Sequence, residues 1–292
     1  MFYCQDSVYF DGWGPHAYYL LDQRTPGIEA GLRHMTAEEL RKTWWRLISE
    51  YSKLDLAVSS DKLPAISAIA KVFGPAISGT ETGCGSYKAG LWEQHLPENL
   101  LWYTRNPKRV RPAYRAPSWS WVSIDSCINA STDAYDYGSI IIPEAINVQN
   151  VVVKSTSCTI KLASSEAPFG QVTSGCLRIE APMTEINVTG ALSFDKYEFD
   201  NGTRIDTYYD ISPLTSDDVE CSSSFHLLLI YFESPTRWGP PDDVYMKGLI
   251  LSATEESDVY SRVGYFRTND PPPYWSRFDH RNYFRMTKVT IV

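Results

Sequence analysis

The residues with the most chemical potential in this chain are aromatic rings and polar donors, and the densest group is Tyr114-Arg115-Ala116-Pro117-Ser118-Trp119-Ser120-Trp121. Read as a strand, Trp119 and Trp121 share one face and Ser118 and Ser120 the other, since successive side chains alternate. Pro117 cannot donate to a ladder and fits the start of such a strand. Arg115 is placed to stack on a ring or to pair with a carboxylate. Two readings follow. One is a double-indole wedge in a β core; the other is the aromatic wall of a ligand cavity with Ser and Arg as handles. On the second reading the donors and acids are His226, Arg285, Tyr283, Tyr114 and Ser120. The binding surface is then Trp13, Trp119, Trp121, Arg115, Ser118, Tyr231, Phe232 and Trp275. For His226, on the apolar run HLLLIY, the competing role is a satisfied core histidine; for Arg285 it is a surface ion pair.

Conventional catalytic patterns are missing from the sequence. The five His (His16, His34, His95, His226, His280) form no HExxH or other metal-ligand spacing. There is no GxSxG elbow and no GxGxxG after a strand. Cys84 lies between Gly83 and Gly85, but no base is placed beside it by the sequence. The acidic pairs Asp217-Asp218, Asp242-Asp243 and Glu255-Glu256 fall in turn-like stretches and read as solvated loop tips. No metal and no cofactor is expected.

The elements that must position these residues divide at about residue 113. Residues 1–113 read as an N-terminal segment with two or three helices, and 114–292 as an antiparallel β-barrel or sandwich. Thr36 with Glu39 matches a capping box opening a helix over 36–53, and Leu40, Trp44, Leu47, Ile48 and Tyr51 form its apolar stripe. Ser60-Asp61 opens a second helix, with Pro64 in its first turn and Gly74-Pro75 as its stop. A short third helix is expected over 88–96. From Trp119 the period becomes two, with strands predicted at 118–124, 139–142, 145–154, 157–163, 173–180, 182–189, 191–199, 204–208, 224–232, 246–253, 259–267 and 283–291. The fold class is mainly β with a helical annex: short strands in succession without helices between them favour an antiparallel sheet.

Composition narrows the function classes. Of 292 residues, 43% are hydrophobic, 21% charged and 13% aromatic, which is globular and ring-rich. The net charge of −8 argues against nucleic acid. The basic run Arg105–Arg115 is short and interrupted by Pro, and reads as a solvated loop. The N-terminus has no signal-peptide pattern and no run is long enough to cross a bilayer, so a soluble, cytoplasmic chain is expected. The six scattered Cys then read as reduced thiols.

Five blocks, DKLPAISAIAKVF (61–73), AGLWEQHLPENLLWY (89–103), YRAPSWSWVSID (114–125), SGCLRIEAP (174–182) and GLILSATEESDVYSRVGYF (248–266), resemble in content and order the C-terminal half of fungal heterokaryon-incompatibility (HET) proteins. The resemblance implies a fungal origin and a β module without the family's N-terminal module, since Met1 begins about where that module would end. Small fungal proteins of this build are also similar to the hetero-Diels–Alderases of tropolone-sesquiterpene biosynthesis. That second resemblance implies a pericyclase joining a tropolone o-quinone methide to a humulene-type olefin; chosen from the residues and not carried over from it, His226 would be the acid that expels water from a hydroxymethyl tropolone. Such a reaction needs no metal or nucleophile, only a dry cavity that aligns two reactants and a donor for the heterodiene oxygen. It transfers no site residue by position. The alternatives are a non-catalytic HET-type module that binds a protein partner, and a carrier of a hydrophobic metabolite.

Overall fold

The computed structural model describes residues 2–4, 7–9, 31–32, 34–54, 56–79, 86–105, 107–125, 148–188, 196–199, 204–211, 223–233, 246–268 and 280–292. Trp13, Trp275 and the predicted strand at 139–142 lie outside them.

Helix α1 (Ala37–Ser52) begins at the predicted Thr36, whose side chain accepts from Glu39 N while the Glu39 carboxylate takes the Thr36 N–H at 2.7 Å. Its stripe of Leu40, Trp44, Leu47, Ile48 and Tyr51 is buried. Helix α2 (Lys62–Ser78) runs past the predicted stop: Pro75 lies inside its last turn, and the helix ends at Gly79, whose φ of +67° allows the left-handed cap. The predicted helix at 88–96 is replaced. Strands β3 (Tyr87–Lys88) and β4 (Leu91–Trp92) form a hairpin through Ala89 and Gly90, both at positive φ, before the single-turn helix α3 (Leu96–Asn99). Two consecutive positive φ values suit a tight primed turn.

A separate pair, β1 (Phe2–Cys4) and β2 (Ser7–Tyr9), precedes the helices. Among the described residues, the main sheet has eight strands: β5 (Ser155–Leu162), β6 (Val172–Val188), β7 (Lys196–Glu198), β8 (Arg204–Tyr209), β9 (Ser223–Phe232), β10 (Met246–Ala253), β11 (Val259–Arg267) and β12 (Arg285–Ile291). Their order is β10-β9-β6-β12-β11-β8-β7, with β5 also on β6. All pairings are antiparallel except the short β11–β12 contact, and β10 pairs with both β9 and β11, so the sheet partly closes on itself. The fold class is therefore mainly β, with the N-terminal helices added, as expected.

Three corrections concern the strands. Within the predicted strand 145–154, the described residues form a 3-10 helix over Val148–Asn150 and an isolated bridge from Val151 to Tyr231. The runs at 173–180 and 182–189 are one 17-residue strand, β6. Pro182 is tolerated because it sits where one edge of β6 changes partner, from β5, paired up to Glu180, to β9, paired from Met183. The segment 118–124 is not a strand; it is a turn followed by a 3-10 helix over Trp121–Ser123. Ser side chains bond the local backbone there and turn the chain away from a ladder: Ser120 Oγ accepts from Val122 N at 3.1 Å.

The central strands are apolar on both faces. Along β9, Leu228 and Ile230 join a large cluster with the helices, the hairpin and the Trp segment, while Leu227 and Leu229 join a second cluster with Phe199, Ile205, Phe266 and Phe284. Alternate residues of one strand thus serve two cores.

Candidate functional site

The Trp segment is a clasp between the helical region and the sheet. Trp119 and Trp121 both have 0% exposure, so neither indole borders a space that water could enter. Trp121 Nε1 donates to the Gly90 carbonyl at 3.1 Å, and its ring meets Tyr51 edge-on at 6.1 Å. A Cβ on Gly90 would stand 2.6 Å from that same Nε1, which is why the hairpin has Gly at this point. The Trp119 carbonyl accepts from Trp102 Nε1 at 3.0 Å.

The polar members of the segment are equally engaged. Ser118 Oγ donates to the Val292 carbonyl and accepts from Arg262 N at 2.9 Å. Ser120 Oγ donates to the Ala89 carbonyl at 2.6 Å. Arg115 donates through Nε to Val122 O at 2.5 Å. Its two terminal nitrogens reach Ser59 Oγ at 2.6 Å, Ile124 O at 2.7 Å and Asp125 Oδ1 at 2.5 Å. Each hydroxyl hydrogen here goes to a backbone carbonyl, and all three guanidinium nitrogens have protein acceptors. Trp119, Trp121, Arg115 and Ser118, expected as a ligand surface, and Ser120, expected as a catalytic donor, are all buried, and the side chains of all but Trp119 are hydrogen-bonded within the folded chain.

Two buried charge groups hold the clasp. Lys62 Nζ bonds the Ile124 carbonyl at 2.7 Å and Asp125 Oδ1 at 3.2 Å. Burial, joined by the neighbouring Arg115 charge, lowers Lys62 to a pKa of about 8. Burial of Asp125 works to raise its pKa, but Arg115 and Lys62 together outweigh it and hold the carboxyl below its ordinary value. Deeper in, Arg262 is fully buried: Nε is 3.1 Å from Asp210 Oδ2, Nη1 donates to Leu100 O at 2.7 Å and Nη2 to Trp102 O. Its guanidinium carbon lies 3.3 Å from the Trp102 ring centre. Burial pushes Asp210 up and Arg262 down to about 10, each against the pull of its partner. Nothing in the sequence around Arg262 marks it as the tie between the sheet and the Leu100–Tyr103 stretch.

Of the other predicted residues, Phe232 and Tyr283 share one cluster, and the rest are placed apart from them. His226 is half-buried, edge-on to Tyr260 at 5.1 Å, with Nδ1 unpartnered. It alternates with Leu227 and so lies on the large-cluster face of β9. Tyr231, also on that cluster, donates to the Glu233 carboxylate and accepts from Asn150 Nδ2 at 3.4 Å. Phe232 and Tyr283 pack on the second cluster, across the sheet from His226. Arg285 is exposed and donates to Arg281 O at 2.6 Å, which is neither a site contact nor the ion pair of the alternative reading. A depression of about 230 Å³ on β5, β6 and β12, lined among others by Ser155, Ser157, Arg178, Glu180, Lys288 and Thr290, contains none of the predicted residues.

What stands out at the surface is the stretch leading into the clasp. Val110 is 77% and Tyr114 58% exposed, while Val58 and Leu54 on the linker between α1 and α2 are 53% and 42% exposed. The bond from Arg115 to Ser59 joins these two segments directly. The basic stretch is also pinned at Lys108, whose N–H donates to Asp125 O at 3.3 Å, and at Arg111, whose Nη2 donates to Arg262 O at 3.1 Å. A loop fixed at three points therefore displays a tyrosine and a valine among Arg105, Lys108, Arg109 and Arg111. Tyr114, predicted as a catalytic donor, is on this outer surface.

Among the described residues, no group of three or more His, Cys, Asp and Glu is placed to hold a metal, and no helix is long and apolar enough to cross a membrane. In comparisons with family models, with curated proteins and with solved structures, nothing matches this chain.

Proposed function

We propose that this protein is a non-catalytic recognition module that binds an acidic protein partner through the loop 105–114 and the adjacent linker 54–58. The observation that carries this reading is the display of Val110 and Tyr114, 77% and 58% exposed, on a loop anchored to the core. Exposed apolar side chains on a fixed scaffold suit docking, because little order is lost on binding. Tyr and Arg are the residue types that most often dominate such interfaces. The loop is a positive island on a chain of net charge −8, which favours an acidic partner and a salt-sensitive encounter.

The test is crosslinking capture from an extract of the source organism with three proteins: wild type, Val110→Asp/Tyr114→Ala, and Met286→Asp as a control at a distant exposed apolar position. The expected result is an acidic partner held by wild type and control and lost from the loop variant, all three with the same Tm. Identical captures from all three would refute the reading.

A second reading, the cofactor-independent hetero-Diels–Alderase, has one observation in its favour. Phe232 and Tyr283 sit half-buried on the second cluster with Tyr197, Tyr209 and Phe225, and His280 lies 4.3 Å from the Phe232 ring. That is a partly open aromatic surface with polar tips, of the sort that could align two flat reactants. Incubation with a quinone-methide precursor and humulene should then give one adduct stereoisomer in excess over a no-protein control, and Tyr283→Phe should reduce the excess. A racemic product at the uncatalysed rate rules this reading out without touching the first.

A further inference from the structure

The open depression on β5, β6 and β12 has room, access and donors that neither reading uses. It encloses about 230 Å³ on a stretch of sheet whose other face is committed to the core. Cys158, Leu177, Ile179, Val289 and Ile291 turn inward to the large cluster, so Ser155, Ser157, Arg178, Glu180, Lys288 and Thr290 turn outward and line the depression. The register sets these six in two rows across the three strands. Ser155, Glu180 and Lys288 form one row; Ser157, Arg178 and Thr290 form the other.

The rows differ in chemistry. In the first, Glu180 is a buried floor, 9% exposed, with Lys154 Nζ bonded to its Oε1 at 2.7 Å and Lys288 Nζ 3.8 Å from its Oε2. A carboxylate has about four acceptor positions, so this one keeps some for a hydroxyl brought from outside. In the second row Arg178 is exposed, and among the described residues neither its guanidinium nor the hydroxyls of Ser157 and Thr290 have a partner. An arginine between two hydroxyls, with no acid opposite it on the ladder, presents a free planar fork to an oxyanion. Lys154, Arg178 and Lys288 against Glu180 leave the depression positive on a chain of net charge −8. The rows lie two residues apart on β6, which is roughly 6.5 Å along a strand. A six-carbon sugar with an acidic group at one end and hydroxyls at the other spans that distance.

We propose that this depression binds a sugar-sized hydroxylated anion, a sugar acid or a sugar phosphate, with its oxyanion on Arg178 and its hydroxyls on Glu180 and Ser155. The site shares no residue with the loop 105–114, and the two stand or fall separately.

Chemical-shift titration of the isotope-labelled full chain with glucuronate and with glucose 6-phosphate tests this, with glucose, acetate and inorganic phosphate as controls. For an open, shallow site, saturable binding of at least one sugar anion is expected with a Kd of about 1 mM, and the tighter of the two tells carboxylate from phosphate. Glucose lacks the anion, and acetate and phosphate lack the hydroxyls, so each control should bind at least about tenfold more weakly. Arg178→Gln is at an exposed position and should keep the Tm while weakening binding about tenfold; Ser157→Ala with Thr290→Val should weaken it about threefold. Three results overturn the proposal. The first is no saturable binding of either sugar anion. The second is equal binding of inorganic phosphate or of glucose, which would mean bare charge or bare hydroxyl attraction. The third is unchanged affinity in Arg178→Gln, which would place the binding elsewhere.

Discussion

Arg262 and Asp210 illustrate how single residues carry this fold. Both are essentially without exposure, and the arginine also satisfies the carbonyls of Leu100 and Trp102. Replacing Arg262 with Leu strands a buried carboxylate and should cost about 3–5 kcal/mol in urea unfolding. Arg262→Met with Asp210→Leu should recover much of that loss, though not the part due to the two carbonyls. Lys62 gives a pH signature. Its folded pKa of about 8 lies below the 10.5 of an exposed lysine, so between those values the unfolded chain binds more protons and stability rises with pH. Chemical denaturation from pH 8 to 10.5 should show this rise in wild type and a weaker one in Lys62→Met; parallel curves would mean that Lys62 is not the group responsible. None of this was legible in the sequence, because the partners of Arg262 and Lys62 lie far along the chain. The aromatic density of 114–121 was legible, but not its role: burial decides between wedge and cavity wall, and burial is a property of the whole fold.

Elements were readable where local chemistry and period agreed. α1 starts at the predicted Thr36, and β10 and β11 occupy the predicted residues. Thr36→Ala removes half of the capping box and should cost about 1 kcal/mol in thermal or urea unfolding. Local signals mislead where two of them compete. Gly74-Pro75 looked like a stop, yet a proline near a helix end removes only a bond or two, and the break comes at Gly79. Ala-Gly is a weak turn signal within the predicted helix 88–96, and positive φ at both Ala89 and Gly90 makes these two residues a hairpin turn instead. Two glycines allow a graded check. Gly79→Ala meets no neighbour, so it should cost only about 1 kcal/mol for its φ. Gly90→Ala combines positive φ with the 2.6 Å approach to Trp121 and should cost clearly more; equal losses would mean the indole moves aside at little cost.

At the scale of the whole molecule, the fold class could be read from the run of period-two segments, whereas the partial closure through β10 and the short β11–β12 contact could not. Closure depends on which edges meet, and strand period carries no information on that. The proposed docking surface was half visible: the basic run 105–115 was plain and read as a solvated loop, but its anchoring and its link to Ser59 through Arg115 needed coordinates. Because the loop is positive on an acidic chain, partner capture should weaken steadily as salt rises from about 0.05 to 0.5 M, since ionic screening shortens to a few ångströms over that range. Capture that survives high salt unchanged would point to the apolar side chains alone.

The bonds that tie the Trp segment to the sheet span long stretches of chain: 174 residues from Ser118 to Val292 and 162 from Leu100 to Arg262. During synthesis, the indoles are made well before the strands that lock them in place. Throughout that interval the ribosome holds a chain whose stickiest aromatic cluster has no cover, a state prone to wrong pairings. Arrested nascent chains ending before Tyr260 should therefore be cut readily by protease between residues 86 and 125, and those that include the last strand should resist.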